Sequence, residues 1–163
     1  APVRKTQSDG SVELALARGY QAASEGNWGQ AEAIYQEALQ THPGEPRLYY
    51  NLGNIYQRQK EFKNAYTNYR KALELNPEYG RAWNNLGYVL EQLNQSEEAL
   101  QSYEKAISTG DIPEASFNAG LLLEKKGRLE EALKNFRHYI KQTPSGDLAD
   151  TAREHIKRLE RHF

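Results

Sequence analysis

Apolar and polar positions along this chain keep a helical spacing, and the whole arrangement recurs. Four glycines, Gly19, Gly53, Gly87 and Gly120, fall 34, 34 and 33 residues apart. Twelve residues after each comes an alanine: Ala31, Ala65, Ala99 and Ala132. Four residues later comes an aromatic: Tyr35, Tyr69, Tyr103 and Phe136. Eight further on stands Pro43, Pro77 or Pro144, with Asp111 in the remaining case. A fixed period of this length with small, small, aromatic and proline punctuation predicts an all-α stack of helical hairpins. The repeats are set at 12–45, 46–79, 80–112 and 113–146, followed by a last helix over 147–163. Residues 1–11 are polar and unpatterned and read as a loose tail.

Within a repeat the packing slots have mechanical reasons. At ~100° per residue, positions 4, 7, 8 and 11 of the first helix share one face. That face carries Tyr49, Leu52, Gly53 and Tyr56 in the second repeat and Trp83, Leu86, Gly87 and Leu90 in the third. The glycine removes a side chain where two helices approach closely. On the second helix, Ala65, Tyr69 and Ala72 share a face, as do Ala99, Tyr103 and Ala106. Small, large, small at this spacing is knob-into-gap packing. The second helices should stop just before their prolines. Ser96, followed by Glu97 and Glu98, reads as a helix cap.

Departures mark the ends. Repeat one places Ala15, Arg18 and Ala22 where the others carry larger apolar residues, a thin packing face that a terminal repeat tolerates. The final helix puts Leu148, Ala152, Ile156, Leu159 and Phe163 on one stripe, an amphipathic cap over repeat four. The linker Ser108 to Pro113 is one residue short and lacks the usual proline, so an altered turn is expected there.

Trp83-Asn84-Asn85-Leu86-Gly87 followed by Ala99-Leu100-Gln101-Ser102-Tyr103 resembles the tetratricopeptide repeat. The resemblance covers nearly the whole chain. It implies a right-handed α-solenoid of helix-turn-helix repeats, with the first helices lining a concave groove where extended peptides lie.

Composition narrows the function classes. The chain has 163 residues, a net charge of −1 and a mean hydropathy of −0.89. A near-neutral balance argues against nucleic-acid binding, which needs clustered Lys and Arg to replace counterions. No apolar run approaches the ~18 residues of a membrane span, so no membrane insertion is expected. Cysteine is absent, which removes disulfides, thiolate metal sites and a thiol nucleophile. No phosphate loop, His-Glu-x-x-His run or nucleophile elbow appears, so neither enzyme activity nor a cofactor is expected. His42, His138, His155 and His162 are dispersed and read as solvated surface residues, with no metal site. Methionine is also absent, so the sequence reads as a processed or trimmed form, cytoplasmic or periplasmic/secreted.

The first helices carry a spare face. Positions 2, 5, 6, 9 and 13 lie opposite the packing face and are not needed for stacking, so their chemistry reports on binding. The candidate groove residues there are Tyr20, Arg47, Tyr50, Asn51, Asn54, Arg58, Arg81, Asn84, Asn85, Tyr88, Phe117, Asn118 and Leu121. Position 6 is asparagine in three successive repeats: Asn51, Asn85 and Asn118. A carboxamide is donor and acceptor together, so such a row can bracket an extended backbone without selecting its side chains. The row looks like the asparagine ladder of the O-linked N-acetylglucosamine transferases. Tyr20, Tyr50, Tyr88 and Phe117 leave an aromatic inner face of the kind that recruits a partner. The Lys and Asn clamp of repeat domains that grip the acidic tails of heat-shock chaperones is not completed in either framing, since Leu16 and Tyr20, or Tyr50, Glu114 and Asn118, occupy its slots.

The reading is a non-catalytic scaffold that holds a protein or peptide partner in its groove. The ligand is extended or short-helical and partly apolar, with Arg47, Arg58 and Arg81 attracting an acidic residue. Two alternatives stand beside it. One is a structural module that self-assembles into a homo-oligomer through repeat one or the cap. The other is the targeting domain of a larger enzyme.

Overall fold

A computed structural model describes residues 10–110 and 112–163. Its helices are α1 (Gly10–Ser24), α2 (Trp28–Thr41), α3 (Pro46–Arg58), α4 (Phe62–Leu75), α5 (Gly80–Gln92), α6 (Ser96–Ser108), α7 (Pro113–Lys125), α8 (Leu129–Gln142) and α9 (Asp147–Leu159). A short 3₁₀ turn, Glu160–His162, follows α9. They form two compact units, one ending at Pro77 and one running from Glu78 to Phe163. The first holds the hairpins α1/α2 and α3/α4, with α2 against α3. The second holds α5/α6 and α7/α8, with α6 against α7 and α9 laid on α8. The loose tail expected over 1–11 falls largely on residues 1–9, outside the described residues; Gly10 and Ser11 already belong to α1, and Val12 is buried.

Each hairpin is keyed by a ring on a glycine. A methyl group on Gly19 would lie 2.3 Å from the Tyr35 ring. The equivalent distances are 2.5 Å for Gly53 on Tyr69, 2.5 Å for Gly87 on Tyr103 and 2.8 Å for Gly120 on Phe136. The glycine therefore makes room for the partner helix's aromatic ring, and all four rings are buried. Two of the hydroxyls, those of Tyr69 and Tyr103, are bonded at the rim of this core. Tyr103 donates to Glu91 Oε1 at 2.5 Å, and burial together with that bond pushes its phenol well above the usual range. The Tyr69 hydroxyl lies 2.7 Å from both Asn54 Oδ1 and Gln57 Oε1 and can donate its proton to either.

Turns follow local stereochemistry. The inner turn of each hairpin needs one left-handed residue, supplied by Gly26 (φ 80°) and Gly127 (φ 75°) in the outer repeats. Lys60 (φ 62°) and Asn94 (φ 61°) take the same conformation in the middle ones. Between hairpins, α2, α4 and α8 end one residue before His42, Asn76 and Thr143, whose φ of −128°, −140° and −130° are the extended values that a following proline imposes. Where that proline is missing the turn changes, as expected. Thr109 stays helical, Gly110 turns left-handed at φ 78°, and α7 restarts at Pro113. Thr109 and Ile112 then press on Gly80, where a methyl group would meet Thr109 Oγ1 at 2.3 Å.

Three expectations need correction. Ser96 is the first residue of α6 and does not cap it; Gln95 occupies the cap position without a side-chain bond. The packing face is broader than positions 4, 7, 8 and 11, because α3 and α7 also lie against the second helix of the preceding hairpin. Leu48 and Ile55 on α3, and Ala115 and Leu122 on α7, are buried for that reason. The cap stripe is also displaced: Ala149, Ala152 and Leu159 are buried, while Leu148 and Phe163 are exposed.

That displacement has a simple origin. Helix α9 starts 34 residues after α7, in register with the first helix of a fifth repeat. Ala149 occupies the slot of Leu48 and Ala115. The slots that elsewhere receive a second helix hold Asp150, Arg153, Glu154 and Lys157, all exposed. On α9 this face is charged and Glu154 stands where the glycine stands elsewhere, so it lacks the seat that receives a second helix in the other repeats.

Candidate binding face

In the first unit the spare positions are largely committed to internal contacts. Arg47 donates to Glu45 Oε1 from Nε at 2.8 Å and reaches Glu13 Oε1 at 2.8 Å, linking α3 to α1. The bond from Arg47, outweighing the cost of burial, holds the Glu45 carboxyl below the usual carboxylate range. Arg47 is thus neutralised by two acids of its own unit. Arg58 lies over the Trp28 ring, 5.6 Å from its centroid. Tyr50 is half-buried, its ring 5.9 Å from that of Tyr69, and Asn54 faces the Tyr69 hydroxyl. Asn51 is half-buried. Tyr20, at 73% exposure, is the open ring of this unit.

The second unit keeps more of its spare face open. Asn118 on α7 donates to Asn84 Oδ1 on α5 at 3.0 Å, and Asn84 donates to Asn85 Oδ1 at 3.4 Å. The carboxamides therefore form a short relay across two helices, which fixes their orientation. One turn before it stand Arg81 and Glu114, both exposed. One turn after it stand Tyr88, 42% exposed, and Leu121, 37% exposed. From helix start to helix end, the face runs from charge through carboxamide to apolar surface.

Phe117 does not belong to this set. It was expected as an exposed inner ring, but it is 6% exposed and packs against Phe136, Tyr139 and His155 at 5.7, 5.4 and 6.5 Å. It is covered by α8, the second helix of its own hairpin, together with α9, which brings His155 against it. Two histidines read as solvated are also embedded. His155 Nδ1 lies 2.6 Å from Glu124 Oε2, and His138 Nδ1 lies 2.8 Å from Ser116 Oγ, which is fully buried. Among the described residues, no group of three or more His, Cys, Asp or Glu could hold a metal ion, and no helix is long and apolar enough to cross a membrane.

Three tetratricopeptide repeat models match the chain, over residues 44–109, 22–65 and 113–145. The chain belongs to the tetratricopeptide repeat family. Its architecture is matched by solved tetratricopeptide structures. YrrB, described as a tetratricopeptide repeat protein with an unusual peptide-binding site, is 29% identical, with a TM-score of 0.73 over 91% of this chain and 75% of that one. MamA is 27% identical, with a TM-score of 0.74 over 80% of this chain and 77% of that one. A tetratricopeptide repeat protein from Parabacteroides merdae, 22% identical, shares the fold with a TM-score of 0.78 over 94% of this chain and 62% of that one. No curated protein sequence matches. Tetratricopeptide folds are protein-interaction scaffolds, and the chain carries that fold.

Proposed function

We propose that this tetratricopeptide protein is a non-catalytic scaffold that holds an extended or short-helical segment of a partner against the first-helix face of its second unit. The observation that carries the reading is the Asn118–Asn84–Asn85 relay flanked by exposed Tyr88 and Leu121. A relay of oriented carboxamides suits a peptide backbone, and the ring and leucine beside it suit an apolar side chain. Arg81 offers a cation at the start of this face, whereas Arg47 and Arg58 are engaged within the first unit. The unusual peptide-binding site described for YrrB adds a precedent in a similar chain.

The test starts from a linear peptide selected on the immobilised protein from a random library. Replacing Asn85 and Asn118 with alanine should weaken its binding by about 1–3 kcal/mol, at least five-fold in affinity, with helicity unchanged. Tyr88→Ala should weaken it comparably, and Gln101→Ala, exposed on a second helix, should leave it unchanged. Parental affinity in the double variant rejects this face.

A second reading, self-assembly, draws on Leu14. It is 57% exposed, whereas its equivalents Leu48, Ala82, Ala115 and Ala149 are all fully buried. The charged outer face of α9 gives no matching apolar surface, so assembly would use the α1 side alone. Light scattering that shows a monomer across a concentration series removes this reading.

A further inference from the structure

In the second and third repeats, position 12 of the first helix, counting from Pro46 and Gly80 (and from Pro113 in the fourth), serves its own hairpin. Gln57 and Glu91 stand there in the second and third repeats, and each accepts from the hydroxyl of its hairpin's tyrosine. In the fourth repeat the keyed ring is Phe136, which has no hydroxyl. Glu124, the residue at that position, turns instead to α9. Its Oε1 accepts from Arg158 at 2.6 Å and 3.2 Å, and its Oε2 lies 2.6 Å from His155 Nδ1. The His155 ring stacks on Phe136, with centroids 4.8 Å apart and planes 27° apart. One half-buried carboxylate thus ties α7 to α9, while α9 otherwise rests on the small side chains Ala149 and Ala152 and on Leu159.

We propose that Glu124, His155 and Arg158 form an acid-releasable latch that holds α9 on the fourth hairpin. His155 and Arg158 sit one turn apart on α9, with Arg158 NH2 only 2.9 Å from His155 Nδ1. Glu124 is what makes that proximity favourable. Acid removes the Glu124 charge, and with it the anion that both His155 and Arg158 address from α9. Of the charged and titratable groups around the triad, on α8 His138 is bonded to Ser116, Arg137 is paired with Glu160, and Tyr139 is neutral; on α7, Lys125 adjoins Glu124 and Glu114 stands nearly three turns before it; on α9, Glu154 stands exposed one turn before Arg158. Burial pushes the Glu124 carboxyl up, but the bonds and charges of Arg158 and His155 together outweigh it and hold it below the ordinary range. A depressed carboxylate stabilises the folded form above its unfolded value and stops doing so as pH falls through the folded one. The latch therefore holds at neutral and mildly acidic pH and opens below the ordinary carboxylate range.

Hydrogen exchange of the full chain, corrected for the intrinsic pH dependence of exchange, reads the latch directly. From pH 6.5 to pH 3, opening of residues 147–159 should rise several-fold relative to α5 and α6. Glu124→Gln should abolish most of that relative pH dependence. Phe136→Tyr, which restores a hydroxyl donor to Glu124, should loosen α9 at neutral pH while α5 and α6 keep their protection. Protection of α9 that falls in parallel with α5 and α6 overturns the proposal. An unchanged pH response in Glu124→Gln overturns it as well.

Discussion

The ring keyed on each glycine makes a prediction whose sign depends on background. A Cβ at Gly87 would meet Tyr103 Cε1, Cδ1 and Cζ at 2.5, 2.7 and 2.9 Å, where carbon atoms normally rest about 3.5–4.0 Å apart. The ring cannot retreat: it is fully buried, and its hydroxyl is bonded to Glu91. Overpacking of this kind costs about 1–3 kcal/mol. Alanine inside a helix recovers about 1 kcal/mol relative to glycine. With the ring pinned, the clash lies toward the upper end, so Gly87→Ala should destabilise by about 1–2 kcal/mol. Tyr103→Ala alone should cost about 3–5 kcal/mol by leaving a cavity. In that background the clash is gone and only the helical gain remains. Gly87→Ala should then stabilise by about 1 kcal/mol, a coupling of about 2–3 kcal/mol.

Urea unfolding followed by far-ultraviolet circular dichroism measures all four corners of this cycle. Midpoints are compared only where the slope is unchanged, because repeat arrays can lose two-state behaviour. If Gly87→Ala has the same effect in both backgrounds to within about 0.5 kcal/mol, the ring is not what the glycine accommodates. The longer 2.8 Å approach at Gly120 predicts a smaller cost for Gly120→Ala.

Two further outcomes follow from the turns and the cap. Lys60 is exposed and holds φ 62°, which costs an L-residue about 1–2 kcal/mol, so Lys60→Gly should stabilise by about 0.5–1 kcal/mol after the glycine's extra unfolded-state entropy. Thermal melts should rise by about 1–4 °C, and Asn94→Gly should gain less because asparagine tolerates this conformation. Removing residues from Asp147 onward should strip cover from Phe117 and Phe136 and cause aggregation; a soluble truncated chain with an unchanged melting temperature refutes the capping role of α9.

The hairpins were legible in the sequence because their keys lie at fixed, short separations along the chain. A glycine sixteen residues before an aromatic specifies one close approach, and a proline fixes the helix end before it. The breadth of the packing face was less legible, since Leu48 and Ala115 are buried by the preceding hairpin rather than by their own. Phe117 and His155 were misread for the same reason. Periodicity marks a position as spare within a repeat, but it does not say that a terminal helix will arrive to cover it. The signal available for the latch was the single substitution at 136, the one ring of four without a hydroxyl.

A spare position informs on binding only when the rest of the fold has no use for it. Arg47 fails that test, because Glu45 and Glu13 already satisfy its guanidinium and an incoming acid would have to displace them. Phe117 fails it because the fourth hairpin and α9 enclose it. Tyr88 and Leu121 pass: both stay open to solvent beside carboxamides whose orientation is set by the Asn118–Asn84 bond. A rigid polar relay next to uncovered apolar surface costs little further ordering when a peptide arrives. That difference in available chemistry, rather than the number of aromatic residues on the inner face, is why the second unit is the stronger place to look for the partner.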